Sequence, residues 1–192
     1  MKYILFFCTV LLFSCSSAKQ DYNVINDFLE TELANKKVDT LFVSREGTPK
    51  MYMLELYETA YNERNGEEEL VWVLPKITNW PLDSLDIVKE KNIKREKNNW
   101  IRFDFKNKNY IPTYYKSIRS IPFSLKHISA SNFILYLSRP VFSKDKKHSM
   151  FLFSIGCIPF GGCLTENYGL IVMEKKKGKW VQISNIKYQV YY

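Results

Sequence analysis

Two histidines, His127 and His148, are all the imidazole this 192-residue chain offers. His127 sits in Lys-His-Ile and His148 ends a Lys-rich stretch, and neither has a second His or a Cys at metal-ligand spacing. Each reads as a surface or hydrogen-bonding side chain. The carboxylates gather as Glu67 to Glu69 and as Asp83 with Asp86, and Asp104 lies between Phe103 and Phe105. Glycoside hydrolysis needs two acids about 5 to 10 Å apart in a cleft, and no spacing here nominates such a pair. The Glu run abuts Asn65-Gly66 and suits a solvated loop. Asp83 suits a helix N-cap, where its oxygen accepts free amide N–H groups. Gly-x-Ser-x-Gly, His-Glu-x-x-His, the phosphate-binding Gly-x-x-x-x-Gly-Lys-Ser and Gly-x-Gly-x-x-Gly are all missing. No catalytic residue, metal or cofactor is therefore expected, although a Ser/His/Asp or Cys/His set assembled only in space would leave no such trace.

Aromatic residues are the more suggestive surplus. They make up 16% of the chain, and Trp72, Trp80, Trp100, Tyr110, Tyr114 and Tyr115 fall in its loop-rich middle. Most are expected in the core, since 46% hydrophobic content is what a globular domain requires. Aromatics at a surface supply rigid contact area and stack on sugar faces. Tyr114 and Tyr115, with Lys116 beside them and Pro112 before them, are the expected exposed binding loop.

The N-terminus says where these residues act. Met1-Lys2 precedes an apolar run from Tyr3 to Phe13, and Ser14-Cys15-Ser16-Ser17 follows. A positive charge, a short apolar run and a small residue before a cut form the layout of a secretory signal. The run is shorter than the ~20 apolar residues that span a bilayer, and no later stretch approaches that length. Leu12-Phe13-Ser14-Cys15 resembles the lipobox of bacterial lipoproteins. The resemblance implies that Cys15 is acylated and becomes the first mature residue, anchored to the bilayer by several acyl chains, which hold where one chain does not. Phe13 departs from the pattern, because that position is usually smaller. Cys8, after the bulky Phe7, is a poor rival; an ordinary cleaved signal is the plainer alternative. Ser16 stands where Asp would favour inner-membrane retention in some bacteria, which points to the outer membrane.

Removal of residues 1–14 takes away a single Lys, so the net charge of +8 falls by only one. The basic residues are scattered over Lys36-Lys37, Lys89 to Lys97, Lys144 to Lys147 and Lys175 to Lys179. Nucleic acid is not the expected partner; anionic headgroups or acidic glycans suit such a charge better. Once Cys8 leaves with the signal and Cys15 carries lipid, Cys157 and Cys163 remain. Exported cysteines meet an oxidising compartment, where a leftover pair usually bonds. Pro159 and Gly161-Gly162 between them are residues a chain uses to turn. A structural disulfide contributing about 2–3 kcal/mol is expected. A redox Cys is the alternative, but such motifs space the pair more tightly.

The elements that must position these residues follow from periodicity. From Asp21 to about Lys36, Tyr22, Ile25, Leu29 and Leu33 mark one face of a helix. Asp39 to Ser44 reads as a strand. Thr48-Pro49 reads as N-cap and first residue of a second helix, continued by Leu54, Tyr57, Ala60 and Tyr61 to Asn65-Gly66. A period-two reading of Met51, Met53, Glu55 and Tyr57 would make it a strand instead. Leu70 to Leu74 is a short apolar run, Pro81, Asp83 and Ser84 open a third helix to Lys91, and Trp100 to Phe105 alternates as a strand. Beyond Asn132, strands at 132–137, 150–155, 168–173 and 180–186 are separated by a bend at Arg139-Pro140 and by polar turns at 143–147 and 175–179. Such a succession makes an antiparallel meander.

The stretch from Ser138 to Met150, then Gly161-Gly162, then Leu170 to Val181 is similar to the C-terminal part of uncharacterised exported lipoproteins of Gram-negative bacteria. It carries no activity with it. The Gly178-Lys-Trp-Val hairpin also resembles the last strands of cystatin-like (NTF2-like) domains, in which helices pack on a curved antiparallel sheet. The expectation is then a signal peptide at 1–14, a tether at 15–20, and one α+β domain at 21–192, its N-terminal helices packed with a C-terminal meander. The expected role is that of an envelope lipoprotein, lipid-anchored with its domain in the periplasm or at the surface. It binds an envelope protein or glycan without catalysis; an envelope hydrolase acting on glycan or peptide is the alternative.

Overall fold

The computed structural model of the chain describes residues 19–32, 41–64, 70–93, 99–100, 105–114, 133–157 and 168–188. Helix α1 spans 19–32. It is followed by strand β1 (Leu41–Ser44), helix α2 (Lys50–Glu63), strand β2 (Val71–Leu74) and helix α3 (Ser84–Lys91). Strands β3 (Tyr110–Thr113), β4 (Phe133–Leu137), β5 (Val141–Phe142), β6 (His148–Cys157), β7 (Tyr168–Lys176) and β8 (Lys179–Tyr188) complete the order.

Apolar residues of β6 and β7 alternate between two cores because successive side chains of a strand point to opposite faces. Phe151, Phe153, Ile171 and Met173 join Leu135 and Leu137 under α1, where Tyr22, Val24, Ile25, Phe28 and Leu29 are buried. Phe28 meets both Phe151 and Phe153 edge-on, with ring centroids 5.1 Å apart in each case. Met150, Leu170 and Val172 face the other way, onto Met53, Leu54, Leu56, Tyr57 and Ala60 of α2 and Ile87 of α3. The fold is α+β in three layers: α1, one sheet, then α2 with α3. Covering both faces explains why β7 reads Gly-Leu-Ile-Val-Met without a polar break.

The sheet order is β2-β8-β7-β6-β4-β1-β3, with β5 also on β6. From β4 through β6 and β7 to β8 every pairing is antiparallel, which is the expected meander, and β2 adds antiparallel to β8. The β7–β8 turn is tight, with Lys177 at φ 49° and Gly178 at φ 85°, the left-handed backbone that a two-residue hairpin loop demands. The sheet is larger than the sequence suggested. Strand β1 pairs in parallel with β4 on one side and β3 on the other, and β3 was not expected as a strand at all.

One local reading changes and one alternative falls away. Helix α2 begins at Lys50, with Pro49 at the N-cap position and no side-chain cap. Thr48 is instead held by the sheet: it bridges Ser138, and its N–H donates to the Leu137 carbonyl at 3.1 Å. The period-two reading of this segment gives way to the helix. The predicted strand at 100–105 falls largely on 101–104, outside the described residues, but Trp100 and Phe105 both pack in the α1-side core. The bend at Arg139-Pro140 is real, and Ser138 repairs the ladder there. Its hydroxyl accepts from Leu152 N–H at 2.8 Å, while its own N–H donates to the Leu152 carbonyl at 3.0 Å.

Charged pairs lock the layers. Lys50, almost fully buried, bonds Glu90 at 2.8 Å between α2 and α3, and Lys91 pairs with Glu58. Arg139 pairs with Asp21 of α1, and its guanidinium lies 5.2 Å over the Trp100 ring. Asp27 accepts from the Trp180 N–H at 2.9 Å, tying α1 to the start of β8.

Candidate functional site

Strand β2 is one edge of the sheet and β3 the other. Beside β2 lies a cleft of about 180 Å³. One wall is the C-terminal end of α2, with Ala60, Glu63 and Arg64; the other is β2 itself, from Val71 to Leu74. Lys76, Ile77 and Trp80, on the segment that follows β2, complete the lining. That volume is below the ~300–1,000 Å³ typical of pockets that enclose drug-sized ligands, so it suits a side chain or a single ring.

The position of Trp80 derives from Tyr57. The Tyr57 ring is buried in the α2-side core, and its hydroxyl accepts from Leu82 N–H at 3.0 Å and donates to the Leu82 carbonyl at 3.1 Å. Burial holds this phenol far above the usual tyrosine range, against the opposing effect of the Leu82 bond. Trp80 meets Tyr57 at 5.4 Å and Tyr61 at 5.6 Å, both edge-on. Arg64 closes the group, its guanidinium 3.7 Å over the Tyr61 ring and bonded to the Tyr61 carbonyl, a cation–π arrangement. Glu63 has its carboxylate occupied by the Leu70 N–H at 2.8 Å. The rim therefore presents Arg64 and Lys76 around an aromatic floor.

On the opposite face of β2 the apolar side chains are not covered. Leu70 is 57% exposed, Trp72 50% and Leu74 64%, while Val71 between them is buried. Next to this stripe, Asn185, paired with Leu74, keeps a buried Oδ1 that has no hydrogen-bond partner.

The residues nominated from sequence are dispersed. Tyr114, just after β3 at the far edge, is 52% exposed, with the Arg45 guanidinium 5.4 Å over its ring. Tyr115 and Lys116 lie outside the described residues. Cys157 ends β6, where its backbone pairs with Phe133; Cys15 and Cys163, like His127, Asp104 and Glu67 to Glu69, lie outside the described residues. His148 opens β6, and its N–H donates to the Ser143 hydroxyl at 3.0 Å, so it closes a turn. Asp83 caps α3, accepting from Asp86 N–H at 2.8 Å. Asp86 in turn pairs with Lys144 at 2.6 Å, and that bond raises the lysine's pKa. Among the aromatics, Trp100 is core, Trp80 and Tyr110 are half-buried, and Trp72 and Tyr114 are open.

Arg64, Lys76 and the Leu70 stripe escaped the sequence reading. Leu-Val-Trp-Val-Leu is apolar at every position, so it shows no wet face. Pro75 directly after it was the available signal, since proline marks edge strands. Among the described residues no group of His, Cys, Asp and Glu could hold a metal ion, and no helix is long and apolar enough to cross a membrane. Compared with family models, curated proteins and solved structures, the chain finds no match in any of the three.

Proposed function

We propose that this chain is a lipid-anchored protein of a bacterial envelope that works by binding another envelope component, not by catalysis. The anchor rests on the N-terminal signal and on Cys15. Binding rests on one observation above all, the cleft beside β2, where Trp80 forms an aromatic floor and Arg64 and Lys76 form a basic rim. Rigid aromatics flanked by cations are the composition of contact surfaces, and the anchoring pairs there are the ones a partner would desolvate. The exposed Trp72 and Leu74 at the same edge extend that surface. Tyr114 with Arg45, at the opposite edge, repeats the composition on a smaller scale.

Two measurements test this reading. Metabolic labelling with a fatty acid is expected to mark the wild-type chain and not Cys15→Ala; no label on the wild type, or label surviving the substitution, removes the anchor. Crosslinking in intact cells, followed by purification, is expected to recover an envelope component with wild type and to lose it with Trp72→Ala combined with Lys76→Glu. Turnover of a peptidoglycan or ester substrate by the purified chain would instead support the hydrolase.

A further inference from the structure

We infer that the β2 edge takes up an extended, acidic peptide segment of another protein as an additional strand of the sheet. The inference rests on the binding reading above and names the partner's chemistry. All four residues of β2 line the cleft, although their side chains alternate between the two faces of the sheet. No residue of β8 lines the cleft, so it lies on the outer side of β2, where the backbone groups not used by β8 lie. Among the described residues no other strand pairs with that edge.

Strand addition uses main-chain hydrogen bonds for affinity and alternate side-chain pockets for selectivity, and both kinds of contact are in place. Guest side chains pointing toward α2 enter the cleft over Ile77 and Trp80. Those pointing the other way meet Leu70, Trp72 and Leu74, which are all at least half exposed. The cleft volume of about 180 Å³ suits such a single side chain and excludes a folded protrusion. Charge selects the partner. Arg64 and Lys76 stand at the rim, and Glu63, the carboxylate among the described residues of the lining, already accepts the Leu70 N–H. Pairing of two β2 edges across a two-fold axis would set like charges against each other in a chain of net charge +8, which disfavours self-association. A segment carrying Asp or Glu between apolar residues meets both demands.

The test uses the full chain, purified in detergent, as bait for a phage-displayed library of random peptides. Selected peptides are expected to lack Pro, to alternate apolar residues, and to carry at least one Asp or Glu. Methylating alternate backbone nitrogens of a selected peptide removes the ladder bonds and is expected to weaken binding about tenfold or more. Arg64→Glu with Lys76→Glu, both at exposed positions, is expected to weaken it several-fold while circular dichroism stays unchanged. Binding that ignores backbone methylation overturns strand addition, as does concentration-dependent dimerisation lost in Trp72→Lys. If no peptide is selected but muropeptide-derived glycan shifts the NMR resonances of the cleft, strand addition falls and the binding reading stands. If cellular crosslinking is also indifferent to the β2 variants, both fall.

Discussion

Tyr57 joins the buried core to the candidate site through one hydroxyl and one ring. Its O–H and its acceptor lone pair are both satisfied by the Leu82 backbone, which fixes the segment that carries Trp80. Because burial raises this phenol's pKa, the folded chain keeps the proton at a pH where the unfolded chain, with a tyrosine pKa near about 10, has lost it. The stabilisation is complete below about pH 10 and declines as pH rises past it. Tyr57→Phe is expected to cost about 1–3 kcal/mol at neutral pH, by leaving Leu82 N–H and C=O unpaired, and to flatten the alkaline loss. Urea midpoints taken at neutral pH and above about pH 10 check both. Gly169 is a second such position. A Cβ there would stand 1.9 Å from Asn185 Oδ1, so Gly169→Ala must displace that carboxamide and is expected to destabilise by about 1–3 kcal/mol. In an Asn185→Ala background the cost should shrink, and a double-mutant cycle reads the difference.

At the scale of elements, α1 is held by ring contacts and by polar ties along one flank. Phe28 alone contacts two phenylalanines of β6, while Asp21, Asp27 and Asn26 pin the polar flank of the helix to Arg139, Trp180 and Lys106. Phe28→Ala is expected to lower stability by about 3–5 kcal/mol and to expose α1 to limited proteolysis ahead of the sheet. Cleavage rates that leave α1 no more sensitive than the strands would count against this account. On the other face, α2 and α3 are tied by Lys50–Glu90 and Lys91–Glu58, and the pairing keeps the C-terminal end of α2 in place beside β2. The cleft wall is thus built from an element that is anchored at a distance from the cleft itself.

The described residues form one sheet whose centre is covered on both faces and whose two edges differ. Edge strands attract further strands unless charge, proline or a cover blunts them. Strand β3 carries Pro112 in its ladder with β1, whereas β2 carries Trp72 and Leu74 and meets Pro75 only after its last paired residue. This asymmetry is the reason the β2 edge, and not the β3 edge, is assigned the partner. If Cys157 and Cys163 form the proposed cystine, Cys163→Ser should lower stability by about 2–3 kcal/mol. Mass spectrometry without reduction should find the two residues joined in the wild type; two free thiols would restore the reactive-cysteine alternative.

Much of the architecture was written locally. Short apolar and aromatic runs bounded by turn residues at 143–147 and 175–179 yield β6, β7 and β8, because a hairpin needs only neighbours in sequence. Asp83 caps α3 as its position before Leu85 and Ile87 implies, and the apolar stripe of 22, 25 and 29 is the face that α1 buries. The tertiary structure alone decided which aromatics are hidden. Trp72 stands in an apolar run, Leu70 to Leu74, and Trp100 follows Asn98-Asn99, yet Trp100 is 1% exposed and Trp72 50%, because burial depends on what a distant element brings to rest on the ring. The parallel pairing of β1 with β3 and β4 likewise joins segments far apart in the chain. Neither segment carries a mark of the other, and only closure of the sheet brings them together.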